Sequence, residues 1–146
     1  MISKSDIKKP YIYIDTALNG MKDEHSALEL AEGIQYNPFI GAIYTLEAVY
    51  SKEVMAVAPA QVDQDVAVRS EIELQLADIV IIDVRNGDPI ELGHVIATGK
   101  PFVIYNPTGF KVHPMAHGKA KATVSNIAEL ADLNYLKIKL NVFEIK

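Results

Sequence analysis

The chain of 146 residues contains no cysteine. Without it there is no disulfide framework, thiol nucleophile, iron–sulfur cluster or cysteine-ligated zinc site. Basic residues are also scarce, because 14 Lys and Arg stand against 19 Asp and Glu, which leaves a net charge of -5. We therefore expect neither nucleic acid nor a membrane as a partner, because the release of counterions that favours binding to either requires a basic protein surface.

Long apolar runs are absent as well. The run at residues 79–82 is far shorter than the roughly 20 residues that a membrane span needs. No apolar stretch near the start precedes a small-residue cleavage site, so we expect no signal peptide. With 49% hydrophobic and 23% charged residues, the composition is typical of a globular domain. We expect residues 1–146 to form a single cytoplasmic domain.

Short β-branched segments alternate with longer segments of helical periodicity. Strands are predicted at residues 11–14, 40–46, 78–84 and 102–105. Helices are predicted at residues 23–35, 66–77, 88–98 and 126–133, and loops at residues 51–64 and 106–118. The apolarity of residues 78–84 is continuous, which indicates a strand covered on both faces. The order predicts an α/β fold, a doubly wound (flavodoxin- or Rossmann-like) parallel sheet of about five strands with helices on both faces.

The segment from residue 83 to 93 leaves a predicted strand and enters a predicted helix. Asp88 is expected to cap this helix, with Pro89 at its first position, which gives Asp88 and Glu91 the spacing of a capping box. The same position also suits a chemical role, because the positive end of the helix dipole keeps a carboxylate in the first turn ionised. Asp83 is expected at the same carboxyl edge of the sheet, where such folds bind ligands. Two carboxylates there suit chemistry at a sugar carbon.

Several motifs resemble those of the nucleoside 2-deoxyribosyltransferase-like family. They occur in the family's order at residues 12–14 (IYI), 76–81 (LADIVI), 91–93 (ELG), 99–101 (GKP), 125–133 and 142–143. The family includes transferases that exchange the bases of deoxynucleosides and hydrolases of deoxynucleoside 5′-monophosphates. The resemblance implies an enzyme that cleaves the N-glycosidic bond of a 2′-deoxynucleoside and passes the sugar to a free nucleobase, with no cofactor and no metal.

The resemblance also implies roles for individual residues. Glu91 stands where the family has its nucleophile, which attacks C1′ and holds deoxyribose covalently. Asp83 stands near the strand-end acid, which we expect to orient the sugar hydroxyls, and Tyr13 matches an aromatic residue that lines the sugar pocket. His113 and Met115 match a segment that reaches into a neighbouring subunit, which implies a homo-oligomer with shared active sites.

The proton donor is less clearly marked. The family's acid falls on Ser70, and a shift of one residue would place a carboxylate there, that of Glu71. Asp15 follows the first strand, where the family has small residues, and it is the other candidate to protonate the departing base. Such general acid catalysis is worth roughly 10²–10⁴ in rate. Ser70, Asp15 and Asp88 are also expected to contact substrate.

Two alternative functions remain open. One is a deoxynucleoside 5′-monophosphate N-glycosidase, which a cationic first loop would favour and a charged Asp15 would disfavour by repelling phosphate. The other is a non-catalytic nucleoside- or nucleotide-binding module on the same fold. That second alternative predicts that Glu71 points away from Glu91 and that no other acid lies within reach.

Overall fold

The computed structural model describes residues 8–15, 26–46, 59–85 and 89–140, without the side chains of residues 26 and 59–63. Within these ranges, five strands form one sheet: β1 (Tyr11–Ile14), β2 (Ala42–Thr45), β3 (Ile79–Asp83), β4 (Phe102–Tyr105) and β5 (Ala122–Val124). The helices described are α1 (Ser26–Ile34), α2 (Pro59–Leu76), α3 (Ile90–Thr98), α4 (Pro114–Lys119), α5 (Ile127–Ala131) and α6 (Tyr135–Leu140).

The sheet is parallel throughout, with the strand order β2-β1-β3-β4-β5. Ile12 pairs with Ile79 and Ile14 with Ile81, so β1 and β3 are neighbours in the middle of the sheet. This order is doubly wound, and the chain reverses its direction of winding between β1 and β3. The predicted fold class is confirmed. A crevice is expected outside the carboxyl ends of these two strands.

The sheet separates two hydrophobic layers, because alternate side chains of a strand point to opposite faces. One layer, which includes side chains of α1, α5 and α6, contains Ile12, Ile14, Ala27, Leu30, Ile34, Ile79, Ile81, Val103, Tyr105, Val124, Leu130 and Tyr135. The other, which includes side chains of α2, α3 and α4, contains Tyr13, Tyr44, Leu74, Ala77, Val80, Ile82, Val84, Leu92, Val95, Phe102, Ile104 and Ala116. All five residues of β3 are buried, which explains its continuous apolar sequence.

Both predicted loops contain helical residues. The loop prediction for residues 51–64 is wrong from residue 59 onward, because α2 begins at Pro59, a residue tolerated in the first turn of a helix. The loop prediction for residues 106–118 is wrong from residue 114, where α4 begins. His113 caps α4, and its Nδ1 accepts the backbone N–H of Met115 at 3.1 Å. No helix in the described ranges is long and apolar enough to cross a membrane.

Candidate active site

A tyrosine from β1 and a glutamate from α3 meet at the carboxyl edge of the sheet. The Tyr13 hydroxyl donates a hydrogen bond to Oε2 of Glu91 at 3.0 Å. Tyr13 is 2% exposed, whereas Glu91 is half-buried. Burial raises the pKa of Tyr13, and the negative charge of Glu91 raises it further, so the phenol stays protonated. One oxygen of the Glu91 carboxylate is therefore held by a buried donor.

The helix that carries Glu91 begins one residue later than predicted. Pro89 is the N-cap residue of α3, with φ of -78° and ψ of 160°, and its side chain makes no cap hydrogen bond. Proline has no N–H for a capping box to satisfy, and Glu91 lies at the second helical position instead of the third. The predicted capping box is therefore wrong in register. Asp88 lies outside the described residues, and its expected contact with substrate stays a prediction.

Asp15 lies at the end of β1, on the same face as Tyr13, and is fully buried. Its backbone N–H donates to the Ile81 carbonyl at 3.1 Å, and its Oδ1 accepts the backbone N–H of Asp83 at 2.8 Å. The side chain thus continues the hydrogen-bond ladder between β1 and β3. Its other oxygen, Oδ2, is also buried and has no hydrogen-bond partner among the described residues.

The environment of Asp15 favours its neutral form. Burial raises the pKa of Asp15 well above its usual range, and the charges of Glu91 and then Asp83 raise it further. The hydrogen bond from the Asp83 backbone and the charge of Arg85 oppose this shift without cancelling it. A shift in this direction weakens the expected repulsion of phosphate by Asp15, because that repulsion needs a charged carboxylate.

The raised pKa of Asp15 predicts how stability depends on pH. Above pH 3.8, the ordinary value for Asp, the unfolded chain releases a proton that the folded protein still holds at Asp15. Stability from this group is therefore complete below that pH and is lost as the pH rises toward the folded pKa, by about 1.4 kcal/mol per pH unit. Asp15→Asn keeps an acceptor oxygen and does not titrate. We expect the free energy of unfolding of this variant, measured in urea relative to that of the wild type, to rise with pH above about 4. A difference that is independent of pH contradicts the raised pKa of Asp15.

Asp83 lies at the same edge of the sheet but is paired with a cation. Its carboxylate accepts hydrogen bonds from Nη2 of Arg85 at 2.7 Å and from Nε at 3.0 Å. The Arg85 guanidinium lies 5.2 Å from the centre of the Tyr105 ring. Since side chains alternate along β3, Asp83 shares a face with Ile81, opposite to that of Tyr13. The structure thus brings Asp83 to the edge of the site, and its role toward the sugar stays a prediction.

Removal of the cation should destabilise the protein. Arg85→Met leaves the carboxylate of Asp83, which is 1% exposed, without its ion pair. We expect the free energy of unfolding to fall by about 2–3 kcal/mol, as measured by urea unfolding. Arg69→Met is the matched control, since it breaks the more exposed pair with Glu73 and should cost less than about 1 kcal/mol. Equal effects of the two substitutions would contradict this account of Asp83.

Helix α2 brings Ser70 to the site. The Ser70 hydroxyl is hydrogen-bonded to Tyr13, whereas Glu71 is exposed. The ring of Tyr13 packs against that of Tyr44 of β2, with 5.3 Å between their centres. The guanidinium of Arg69 lies 5.8 Å from the centre of the Tyr44 ring. Residues from β1, β2 and α2 therefore hold the phenol that binds Glu91.

Helix α4 places His113 and Met115 at the surface. Both residues are exposed, Met115 to 52%. Ala116 is buried in the same layer as Leu92 and Val95 of α3, so this segment packs near the helix that carries Glu91. Among the described residues, no three His, Asp or Glu side chains are placed to hold a metal ion.

Comparison with known proteins identifies the fold. No protein-family model and no curated protein sequence matches the chain. The structure is similar to that of a 2-deoxyribosyltransferase from the psychrotolerant bacterium Bacillus psychrosaccharolyticus, with a TM-score of 0.65 and 18% identity, over 88% of this chain and 95% of that one. The fold is shared with that enzyme. A conserved protein from Enterococcus faecalis V583 is also similar, with a TM-score of 0.57 and 15% identity, over 92% of this chain and 100% of that one.

Proposed function

We propose that the protein is a nucleoside 2′-deoxyribosyltransferase with Glu91 as its nucleophile. The observation that carries the proposal is the hydrogen bond of 3.0 Å from the buried Tyr13 hydroxyl to Glu91. It lies at the carboxyl edge of a doubly wound sheet, where such folds bind ligands. The similar structure of a 2-deoxyribosyltransferase supports the proposal at the level of the fold.

The proposed reaction takes place in two displacements. The Glu91 carboxylate attacks C1′ as the glycosidic bond breaks, which forms a covalent deoxyribosyl ester and releases the base. A second base then attacks C1′ and releases Glu91, so the configuration at C1′ is retained. Tyr13 binds Oε2, and we assign the attack to Oε1. The departing base takes a proton from a carboxyl group, for which Asp15 and Glu71 are the candidates.

The remaining predicted residues complete the site. Asp83 orients the sugar hydroxyls, and Ser70 and Asp88 contact the substrate. His113 and Met115 extend into the site of a neighbouring copy, so the active unit is a homo-oligomer. The exposure of Met115, at 52%, supports this role, because an apolar side chain at the surface is available to a partner. The proposed enzyme acts in the cytoplasm without cofactor or metal.

Chromatography of the products tests the proposed function. The protein is incubated with deoxyadenosine or thymidine, with and without a free acceptor base, beside its Glu91→Gln variant. We expect a new deoxynucleoside only when the acceptor base is present and Glu91 is intact. If no nucleoside is converted with any acceptor, or if the variant is as active as the wild type, the proposal is wrong.

One observation keeps the deoxynucleoside 5′-monophosphate N-glycosidase as a second candidate. Burial and the charge of Glu91 raise the pKa of Asp15, which weakens the repulsion of a phosphate by this residue. Release of free base from a 5′-monophosphate, without transfer to an acceptor, would favour this hydrolase. The non-catalytic alternative requires that no acid lie near Glu91, and Asp15 lies close enough for the charge of Glu91 to raise its pKa.

A further inference from the structure

We propose that Asp15 is the group that gives a proton to the departing base and takes one from the incoming base. This inference rests on the proposed function and assigns the acid that the proposal leaves open. It gives Asp15 a catalytic role at a position where the resembling family has small residues.

The position of the Asp15 carboxyl group supports this role. Tyr13 and Asp15 are alternate residues at the end of β1, so both face the side of the sheet that carries Glu91. The bond of 2.8 Å from the Asp83 N–H fixes Oδ1. Oδ2 is buried and unpaired among the described residues, which is an unusual and costly state for a carboxyl oxygen. A substrate atom that accepts its proton would complete its hydrogen bonding.

The charges around Asp15 leave Glu91 as the one that can change during the reaction. The charged groups that face Asp15 are Glu91 from α3, Asp83 at the end of β3, and Arg85 just beyond it. Asp83 and Arg85 form an ion pair with a separation of 2.7 Å, so their effects on Asp15 largely offset each other. Glu91 has a neutral partner, the Tyr13 hydroxyl, and its negative charge adds to burial, the largest cause, in raising the pKa of Asp15.

The first displacement removes one of the influences that raise the pKa of Asp15, the charge of Glu91, while burial, the larger influence, remains. As Glu91 forms an ester bond to C1′, the electron pair of the C1′–N bond passes to the base. The base takes the proton of Asp15, and the O–H bond of the carboxyl group breaks. Before this step Glu91 is charged and Asp15 is neutral; after it the ester is neutral and Asp15 is charged. The site keeps one negative charge throughout this step.

The second displacement reverses these changes. The acceptor base attacks C1′ and loses its proton to the Asp15 carboxylate, while the C1′–O bond breaks and restores the charge of Glu91. One buried group therefore serves both half-reactions. Glu71 is exposed, and Ser70 beside it contacts Tyr13, so α2 presents a hydroxyl to the site where the family has its acid.

The test compares two substrates of nearly the same shape. The base of deoxyguanosine needs a proton to leave, whereas the base of 7-methyl-2′-deoxyguanosine already carries a positive charge and leaves as a neutral molecule. Asp15→Asn keeps the volume and the acceptor oxygen that binds the Asp83 N–H, but it supplies no acidic proton. We expect this variant to react roughly 10²–10⁴-fold more slowly than the wild type with deoxyguanosine. With the methylated nucleoside, we expect its rate to fall by less than about tenfold.

Other outcomes distinguish failure of this inference from failure of the proposed function. Equal losses on the two substrates would mean that Asp15 only supports the strand, and no loss on either would mean that it is not needed. A selective loss on deoxyguanosine in Glu71→Gln, with Asp15→Asn unaffected, would assign the acid to Glu71. Each of these results overturns the role inferred for Asp15 and leaves the proposed role of Glu91 as nucleophile unaffected. A wild-type protein that converts neither these two substrates nor deoxyadenosine or thymidine overturns the proposed function itself.

Discussion

Replacement of Glu91 by Gln is expected to lower the rate of base exchange by about 10⁴-fold or more, as seen for other covalent nucleophiles. The amide oxygen of Gln can still accept the Tyr13 hydroxyl at the position of Oε2, so the pocket should keep its shape. A neutral amide does not form the ester that holds deoxyribose. Initial rates by chromatography, with deoxyadenosine and a free acceptor base, measure the loss.

A matched control separates this loss from a general effect of removing a carboxylate. Glu32 is an exposed residue of α1, and Glu32→Gln should keep the wild-type rate.

Glu91→Ala adds a second readout, because the smaller side chain leaves room for an added azide ion to attack C1′ directly. A single displacement inverts the configuration, so we expect an α-azide product in place of a β-nucleoside. Full activity of Glu91→Gln would remove this residue from the chemistry.

Replacement of Tyr13 by Phe is expected to lower kcat by about 10–100-fold. The ring and its packing against Tyr44 remain, while the hydrogen bond of 3.0 Å to Glu91 is lost. A hydrogen bond to a charged group is worth about 1.5–3 kcal/mol, and at about 1.4 kcal/mol per tenfold this range gives the expected loss. The effect should fall on kcat more than on KM, since the bond orients the nucleophile.

Tyr135→Phe is the control for loss of a buried tyrosine hydroxyl. Tyr135 lies on the other face of the sheet, where its hydroxyl donates to the Leu130 carbonyl at 2.6 Å. This substitution should lower the free energy of unfolding by about 1 kcal/mol without changing the rate of the folded enzyme. If Tyr13→Phe has the rate of the wild type, or if Tyr135→Phe slows the reaction as much as Tyr13→Phe does, the hydrogen bond to Glu91 does not contribute to catalysis.

The elements of the central sheet were predictable because their sequence signals are local. The strand at residues 102–105 has its predicted bounds, and β3 lies within the predicted 78–84. Gly99 ends α3 with a φ of 72°, as its position after the helical pattern predicts. The start of α2 was missed because proline and small residues favour loops, yet proline also suits a first helical turn. For the same reason the sequence predicts a loop where α4 begins, because its first residue is Pro114.

The site was only partly predictable, because its properties arise from contacts between distant residues. Tyr13 and Glu91 are 78 positions apart in the sequence, and only the family resemblance predicts that both lie in one pocket. The raised pKa of Asp15 follows first from complete burial, which no local pattern encodes. The ion pair of Arg85 with Asp83 was missed. Its signal was a basic residue two positions after a strand-end acid, where a side chain can reach back to the strand.

The proposed ester between Glu91 and deoxyribose is tested most directly by mass spectrometry of the protein itself. The enzyme is mixed with a deoxynucleoside in the absence of acceptor base and quenched in acid within the first turnovers. We expect the intact protein to gain the mass of one deoxyribosyl group, the gain to map to the peptide that contains Glu91, and a free base to reverse it. Base exchange with no such adduct, or an adduct on another residue, would contradict the role proposed for Glu91.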